Sequence, residues 1–355
     1  NQPWGGHDDS GGPAGGTERH SGNTNRFAFV IRLSRRRHLA CAPQMESRGN
    51  LFPWPQSMTS GKLLNEETVA SKFLVGHRTI RVYLPPSYAS EKRRRYPVLY
   101  VHDGQNVFSS AGPHCCYGWG NWELDRTVDR LVAQRKMQEI ILVGIDHGRS
   151  RYKELRGRLH PSDGKTGRGR IEEETCDNTR FEAYAGFLIK ELKRKIDREY
   201  RTLKTAANTG VMGSSLGGIA SLSLGWEFPK VFGRIASLSG SFNIEGRNFI
   251  EGVLRRCKRT TRSLQVYLDS GTIDDSGDDD DRRHTDAVAD ELRRLGWKDG
   301  KNLLRYTEGR TLTEQELETS GLARDKWYEA QRSQHNEFYW RLRVWRALEF
   351  LFPSK

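Results

Sequence analysis

From about residue 62 onward, short apolar runs alternate with longer segments of helical periodicity. Residues 77–84 alternate apolar and polar side chains, which predicts a strand with one buried face. Residues 97–101 and 139–145 are apolar runs without polar interruption, which is typical of strands buried inside a parallel sheet. The same reasoning predicts further strands at residues 209–213, 233–238, 264–268 and 302–306.

Helical spacing fills the segments between these strands. Residues 181–200 repeat apolar side chains at steps of three and four, with Lys and Arg on the other face. Further helices are predicted at residues 122–136, 216–226, 286–295 and 340–351. Strands alternating with helices predict an α/β fold, a mostly parallel central sheet with helices on both faces, in one domain over residues 61–355.

Residues 1–60 lack this pattern and contain Gly-Gly pairs, Pro and polar residues, which predicts a disordered N-terminal extension. No window of about 18 apolar residues exists that could form a transmembrane helix. The apolar run at residues 27–31 is too short for the core of a secretory signal. A cytoplasmic location without membrane contact is therefore expected.

The chain of 355 residues has 58 Lys and Arg against 45 Asp and Glu, a formal net charge of +13. That excess suggests a nucleic-acid partner, but it is spread over the chain and no nucleic-acid motif accompanies it. A basic binding module that has no catalytic activity is therefore the alternative from another class of function. Five cysteines, an odd number in a long chain, do not predict a disulfide framework.

The segment Gly213-Ser214-Ser215-Leu216-Gly217 matches G-x-S-x-G between a predicted strand and a predicted helix. A sharp strand-to-helix turn presents a serine above the sheet edge, and only glycines fit two residues to either side. This context predicts Ser215 as a nucleophile. It also places the Leu216 backbone N–H at a helix N-terminus, where it can donate to an oxyanion.

A serine nucleophile needs a base and an acid, which follow it in the chain on this kind of fold. His335 stands between the last strand and the last helix and is the predicted base, whereas His284 lies in a charged stretch. Asp274 is the predicted acid, with Asp275 and Asp269 as alternatives. In the loop after residues 97–101, Gln105 is the predicted second oxyanion donor, and His102 and Asp103 are expected to orient the loop through hydrogen bonds.

Three side chains are candidates for substrate contact: Trp122, Arg151 and Glu154. For the last two, a structural ion pair is an equally good interpretation. The arginine- and lysine-rich segment 149–170 predicts a preference for anionic esters. Neither His114-Cys115-Cys116 nor the run Asp278–Asp281 has the spacing of a complete metal site, so no metal is expected.

Several long motifs in order resemble the α/β-hydrolase esterase family that includes enterochelin esterases, esterase D and feruloyl or acetylxylan esterases. They are RVYLPPSY (81–88), YPVLYVHDGQNVF (96–108), GVMGSSLGGIASLSL (210–224) and HNEFYWRLRVWRALEFLF (335–352). The resemblance implies an α/β-hydrolase fold and hydrolysis of carboxylic esters without a cofactor. It places the nucleophile at Ser215, the base at His335 and the acid at Asp274.

The expected partner is a small-molecule ester, with anionic and sugar-linked esters among the candidates. The related mycolyltransferases transfer acyl groups with the same triad. An acyltransferase is therefore the alternative function. The chain departs from the family pattern at residues 156–170 and 308–334, which are both expected to border the cleft. The identity of the substrate therefore does not follow from the resemblance.

Overall fold

The structure is a computed structural model that describes residues 59–158, 177–244, 249–255 and 263–354. All of these residues fall within one compact unit, residues 48–355. The expected N-terminal extension, residues 1–60, lies almost entirely outside the described residues. Residues 159–170 of the arginine- and lysine-rich segment 149–170 also lie outside the described residues.

One nine-stranded sheet forms the centre of this unit, in the order β1-β3-β5-β4-β6-β7-β8-β9, with β2 also paired to β3. The run from β5 to β9 is parallel, while β3 is antiparallel to β5. The strands are β1 (Lys62–Leu63), β2 (Glu67–Ala70), β3 (His77–Leu84), β4 (Val98–His102), β5 (Ile141–Ile145), β6 (Thr209–Ser214), β7 (Arg234–Leu238), β8 (Gln265–Ser270) and β9 (Leu303–Thr307).

Helices connect the strands, and the predicted helix at residues 181–200 is continuous from Thr179 to Glu199 with a π-helical turn at Phe187–Leu192. The α-helices are α1 (Leu124–Ala133), α2 (Arg151–Leu155), α3 (Thr179–Gly186), α4 (Lys193–Glu199), α5 (Leu216–Glu227), α6 (Arg282–Arg294), α7 (Glu314–Glu318), α8 (Trp327–Ala330) and α9 (Glu337–Leu351).

The sheet has a hydrophobic core on each face. In β4, Val98 and Tyr100 belong to one core, and Leu99 and Val101 belong to the other. Apolar side chains of α3, α5 and α6 complete the first core, whereas those of α1 and α9 complete the second. Every residue of β4 is buried because both faces are covered. The predicted mostly parallel sheet with helices on both faces is confirmed.

Two differences from the predicted elements lie near the C-terminus. Helix α9 begins at Glu337 rather than at residue 340, because the Asn336 side chain accepts a hydrogen bond from the Tyr339 N–H and caps the helix. Residues 308–334 form α7 and α8, and a third small apolar cluster packs them against the start of α9. Within the described part of the chain, none of the helices is long and apolar enough to cross a membrane.

Candidate active site

Ser215 occupies a strained turn between β6 and α5, with φ 53° and ψ −120°. A β-carbon on Gly213 would lie 2.7 Å from the carbonyl carbon of Gly217, so the two glycines pack backbone to backbone beneath the serine. This contact is why the motif requires small residues on both sides of Ser215. The Ser215 Oγ lies 3.3 Å from the Ser241 Oγ, at the carboxyl edge of the sheet.

His335 is held by a carboxylate that the sequence did not single out. Its Nδ1 lies 2.6 Å from Oδ1 of Asp280, whose side chain is fully buried. The imidazole also meets the edge of the Trp340 ring, with 5.2 Å between ring centroids. His335, Asp280 and Ser215 line one cavity of about 440 Å³. The structure therefore places the predicted nucleophile and base in the lining of one cavity, where a buried carboxylate holds the base.

Asp274, the expected acid, is not the partner of His335. Its Oδ1 accepts hydrogen bonds from the backbone of residues 276 and 278 and thereby stabilises its own turn. Asp275 accepts a hydrogen bond from the Ser333 hydroxyl at 2.5 Å. Asp269 is fully buried against Arg343. The chain runs six residues beyond Asp274 before a carboxylate reaches His335, so the structure pairs His335 with Asp280 and not with the expected Asp274.

Asp280 is fixed on its other side by a buried polar network. Its Oδ2 accepts hydrogen bonds from the Ser239 Oγ at 2.6 Å and from the Gly271 N–H. The fully buried Arg343 of α9 donates through Nη2 to the Ser239 hydroxyl and through Nε to Asp269 at 3.0 Å. Arg343 Nη2 also lies 3.8 Å from Asp280 Oδ2. The network therefore orients the carboxylate that faces His335.

These contacts shift the ionisation of the pair. Burial alone would raise the pKa of Asp280, but the hydrogen bond and charge of His335 and the charge of Arg343 outweigh it and lower that pKa. Burial alone would likewise lower the pKa of His335, but Asp280, and then the charge of Asp275, raise it above its ordinary value. The carboxylate is therefore ionised, and it stabilises a protonated imidazole.

The turn after β4 lies directly against the serine turn. A β-carbon on Gly217 would lie 3.2 Å from the β-carbon of His102. Gln105 is the middle residue of the short helical turn Gly104–Asn106, and its side chain accepts a hydrogen bond from the His147 N–H at 3.2 Å. Gly104 permits this arrangement because a β-carbon there would lie 2.5 Å from the carbonyl carbon of Gly144.

His102 and Asp103 make the hydrogen bonds expected of residues that orient this loop. His102 Nδ1 lies 2.7 Å from the Tyr184 hydroxyl, and burial lowers the pKa of His102 to about 4, so its ring is neutral. Arg151 donates two hydrogen bonds of 2.7 Å to the Asp103 carboxylate. Arg151 thus forms an ion pair with the loop, which is the structural alternative to substrate contact considered for this residue.

Two of the three expected substrate contacts are contradicted. Trp122 is only 2 % exposed and packs on Trp340 inside the core. Glu154 is buried and accepts two 2.9 Å hydrogen bonds from Arg78, which is the structural ion pair considered as its alternative. Both residues stand near motifs that border the site, but their side chains turn inward. Sequence alone carries no signal for that orientation.

The described wall of the cavity is acidic rather than basic. Asp274, Asp275 and Asp281 line it together with Asp280. Arg158, a described member of the arginine-rich segment, pairs with Glu182 and Glu227. Residues 159–170 lie outside the described part of the chain. The described residues thus do not support the expected preference for anionic esters.

The candidate metal-binding segments make other contacts. The Cys115 thiol donates to the Gly120 carbonyl, and burial raises the pKa of Cys115 and Cys116. In the run Asp278–Asp281, the first two carboxylates pair with Arg283. Over the described ranges, no three His, Cys, Asp or Glu side chains are grouped to hold a metal ion.

Comparisons with known proteins agree with this fold. The Bacillus subtilis (strain 168) protein YjcH, described as uncharacterized, is 25 % identical over 209 residues, which cover 59 % of this chain and 72 % of YjcH. A ferulic acid esterase has a similar fold with a TM-score of 0.55 and 18 % identity, over 83 % of this chain and 98 % of that protein.

The enterobactin esterase of Shigella flexneri also has a similar fold, with a TM-score of 0.55 and 16 % identity. That similarity covers 87 % of this chain but only 63 % of the enterobactin esterase. The family model described as "Putative esterase" matches residues 71–351, which include the serine turn and His335. The chain therefore belongs to this esterase family, and it is an esterase with an α/β-hydrolase fold.

Proposed function

We propose that Ser215, His335 and Asp280 are the catalytic triad of a carboxylic ester hydrolase that forms an acyl-enzyme. The observation that carries this proposal is the 2.6 Å contact between His335 Nδ1 and the buried Asp280, in the cavity that Ser215 also lines. A serine in a strained turn, an imidazole and a buried ionised carboxylate supply the three roles that acyl transfer requires.

The reaction proceeds in two steps. His335 takes the hydroxyl proton of Ser215 while the serine oxygen attacks the ester carbonyl, and the imidazolium then protonates the departing alcohol. In the second step His335 takes a proton from water, whose oxygen attacks the acyl carbon. The imidazolium then returns a proton to the Ser215 oxygen as the bond between that oxygen and the acyl carbon breaks and the acid leaves. Asp280 holds the imidazole in one tautomer and stabilises its positive charge, without itself taking the proton.

The oxyanion of each tetrahedral intermediate is bound by two backbone N–H groups, those of Leu216 and Gln105. Leu216 is the first residue of α5, and the first amides of a helix have no carbonyl partner within it. Gln105 lies in the turn that packs against the serine turn. Fixed donors of this kind stabilise the transition state because they need no reorganisation as charge develops.

The dependence of kcat/KM on pH tests the role of His335. The base must be neutral, so activity rises as pH passes through the pKa of His335. Because Asp280 and Asp275 raise that pKa, the acid limb should have its midpoint above 6.5, the ordinary value for histidine. Asp275→Asn should shift that midpoint to lower pH while the enzyme keeps most of its activity at high pH. The measurement is kcat/KM for p-nitrophenyl acetate between pH 5 and 9, a range of about two units on either side of neutrality.

His284→Gln is the matched control, since His284 pairs with Asp281 on the cavity wall but has no part in the proposed mechanism. This variant should keep the wild-type midpoint. A midpoint that moves with His284→Gln and stays fixed with Asp275→Asn would assign the titration to His284 rather than to His335. That result would contradict the proposal.

The acidic wall predicts which esters are preferred. Asp274, Asp275 and Asp281 repel a carboxylate near the reacting carbonyl and attract a cation. At low salt, kcat/KM should therefore be higher for an ester with an ammonium group than for a matched ester with a carboxylate, and added salt should reduce the difference. A carboxylate ester that is preferred at all salt concentrations would contradict this assignment.

The names of the similar proteins suggest two substrates to test first, a feruloyl ester and enterobactin. Product analysis with and without added alcohols distinguishes hydrolysis from acyl transfer. Release of the free acid at an unchanged rate when alcohol is added supports hydrolysis. Accumulation of a new ester would favour the acyltransferase alternative.

A further inference from the structure

We propose that a basic cleft at the edge of the sheet opposite Ser215 binds a small, multiply charged anion carrying phosphate groups. The cleft has a volume of about 650 Å³. Five cationic side chains line it, together with Tyr200, Asp197 and Glu199. The cleft that they line is called the basic cleft below. The five cations are Arg95, Arg194, Arg198, Arg201 and Lys204.

The basic cleft is remote from the cavity around Ser215. Arg95 precedes β4, Lys204 precedes β6, and Arg194 and Arg198 lie on α4. The cleft therefore lies at the amino ends of the parallel strands, whereas Ser215 follows the carboxyl end of β6. A strand of six residues spans about 20 Å. A ligand in the basic cleft therefore does not occupy the cavity of the proposed reaction.

The two carboxylates in the lining are already neutralised. Both oxygens of Asp197 accept hydrogen bonds, one from Lys193 Nζ at 2.6 Å and the other from the Thr202 hydroxyl at 2.7 Å. Glu199 accepts from Lys195 at 2.7 Å and from Arg198 at 2.9 Å. The lining thus keeps an excess of positive charge that these two acids do not offset.

Four of the five cations, all except Arg198, make no ion pair among the residues that the structure describes. The exposed side chains of Arg194 and Lys204 are two of these, whereas all four arginines of α6 are paired. Like charges placed together repel each other and destabilise the fold slightly unless an anion offsets them. Their grouping at one cleft is the observation that points to a ligand.

The floor of the cleft is rigid, which favours binding because little order is lost. The Arg201 guanidinium stacks on the Tyr88 ring at 3.7 Å from its centroid and donates to the carbonyls of Tyr88 and Arg94. The backbones of Tyr96 and residues 201–203 exchange hydrogen bonds of 2.9 and 2.8 Å. Arg201 is therefore a positive charge held in place in the cleft that the exposed Arg194 and Lys204 also line.

The chemistry of the cations indicates the class of ligand. Four of the five are arginines, whose planar guanidinium matches the paired oxygens of phosphate. A volume of about 650 Å³ falls within the range of small-molecule pockets. An oligophosphate and a phosphorylated lipid headgroup share this chemistry, and both fit the site better than an extended nucleic acid, which needs a continuous groove.

The probe for this site is inorganic tripolyphosphate, titrated into the full chain by calorimetry at about 0.15 M salt. The double substitution Arg194→Gln and Lys204→Gln should weaken binding at least tenfold. Neither side chain has an acidic partner among the described residues to lose, so folding should be unaffected. A matched control removes the same charge elsewhere, through Lys298→Gln and Lys301→Gln on an exposed turn, and should bind as the wild type does.

Hydrolysis of p-nitrophenyl acetate should be the same in all three proteins, so this experiment and the test of the triad fail independently. Sedimentation with phosphatidylcholine vesicles containing phosphatidic acid is the second arm. Binding that only the Arg194/Lys204 double variant loses would support the site, with a lipid headgroup as the source of phosphate.

Three results would overturn the proposal. One is the absence of tripolyphosphate binding by the wild-type chain at this salt concentration. Another is equal weakening in the Lys298/Lys301 control, which would show only general attraction of anions to a basic protein. The last is tight binding of a single-stranded oligonucleotide that tripolyphosphate does not displace, which would assign the surface to nucleic acid.

Discussion

Replacing Ser215 with alanine is expected to lower turnover of p-nitrophenyl acetate by about 10⁶-fold, the loss typical when the nucleophile of a triad is removed. The substitution removes the oxygen that forms the acyl-enzyme, and no other step can replace that bond. The serine backbone has φ 53°, which alanine tolerates no worse than serine does. The melting temperature should therefore stay near that of the wild type, so lost turnover reports on chemistry.

Ser241→Ala is the matched control, since its hydroxyl lies 3.3 Å from the Ser215 Oγ but has no proton-transfer role in the proposed reaction. It should keep most of the activity. A fluorophosphonate should label the wild-type chain once, at Ser215 by mass spectrometry, and should not label Ser215→Ala. Labelling at another serine, or activity that survives in Ser215→Ala, would contradict the assignment.

Asp280→Asn is expected to lower kcat by about 10³- to 10⁴-fold, because an amide in that position favours the wrong imidazole tautomer and cannot stabilise the imidazolium. The midpoint of the acid limb in the pH profile of the residual activity should also move to lower pH, since Asp280 is the main group that raises the pKa of His335. Arg343 keeps its ion pair with Asp269 in this variant, so the network retains one charge partner.

Asp274→Asn separates this interpretation from the one that the sequence favoured. Asp274 lies on the same cavity wall, but its carboxylate accepts hydrogen bonds within its own turn. The variant should therefore keep turnover within a few-fold of wild type, and its pH profile should move little. If Asp274→Asn lost as much activity as Asp280→Asn, or if Asp280→Asn were as active as wild type, the acid would not be Asp280.

The architecture could be predicted from sequence because buried strands and helices differ in their apolar periods. Residues 97–101 read as a buried strand, and every residue of β4 is buried. Helix boundaries were less accurate where polar residues define them. Asn336 caps α9, and Arg282 begins α6, but neither position carries an apolar signal.

The candidate site was predictable only in part, because the sequence shows the constraints within one turn but not the contacts between segments that are distant in the chain. Ser215 is marked by the glycines that its own turn requires, and His335 by its place after the last strand. Seven aspartates lie between residues 269 and 281, and their spacing does not rank them. The choice of Asp280 depends on Ser239 and Arg343, which approach from β7 and α9.

The left-handed backbone at Asp280 and Asp281, with φ 54° and 53°, also helps to turn these side chains toward β7 and the cavity. Aspartate enters this conformation more readily than most residues, so a pair of aspartates before a helix is a weak signal. Trp122 and Glu154 show the opposite case, in which the sequence suggested a site residue and the structure buries its side chain. Motif position placed them near the site, but only the packing of Trp340 and Arg78 decides that they face inward.

Helix α9 connects the C-terminal end of the chain to the residues of the proposed triad. His335 stands just before it, and Trp340 and Arg343 project from it to Ser239 on the far side of the acid. If α9 detached locally, the imidazole, its aromatic neighbour and the buried guanidinium would leave together. The free energy of that local opening therefore sets the largest fraction of molecules that can be active at any moment, even while the sheet remains folded.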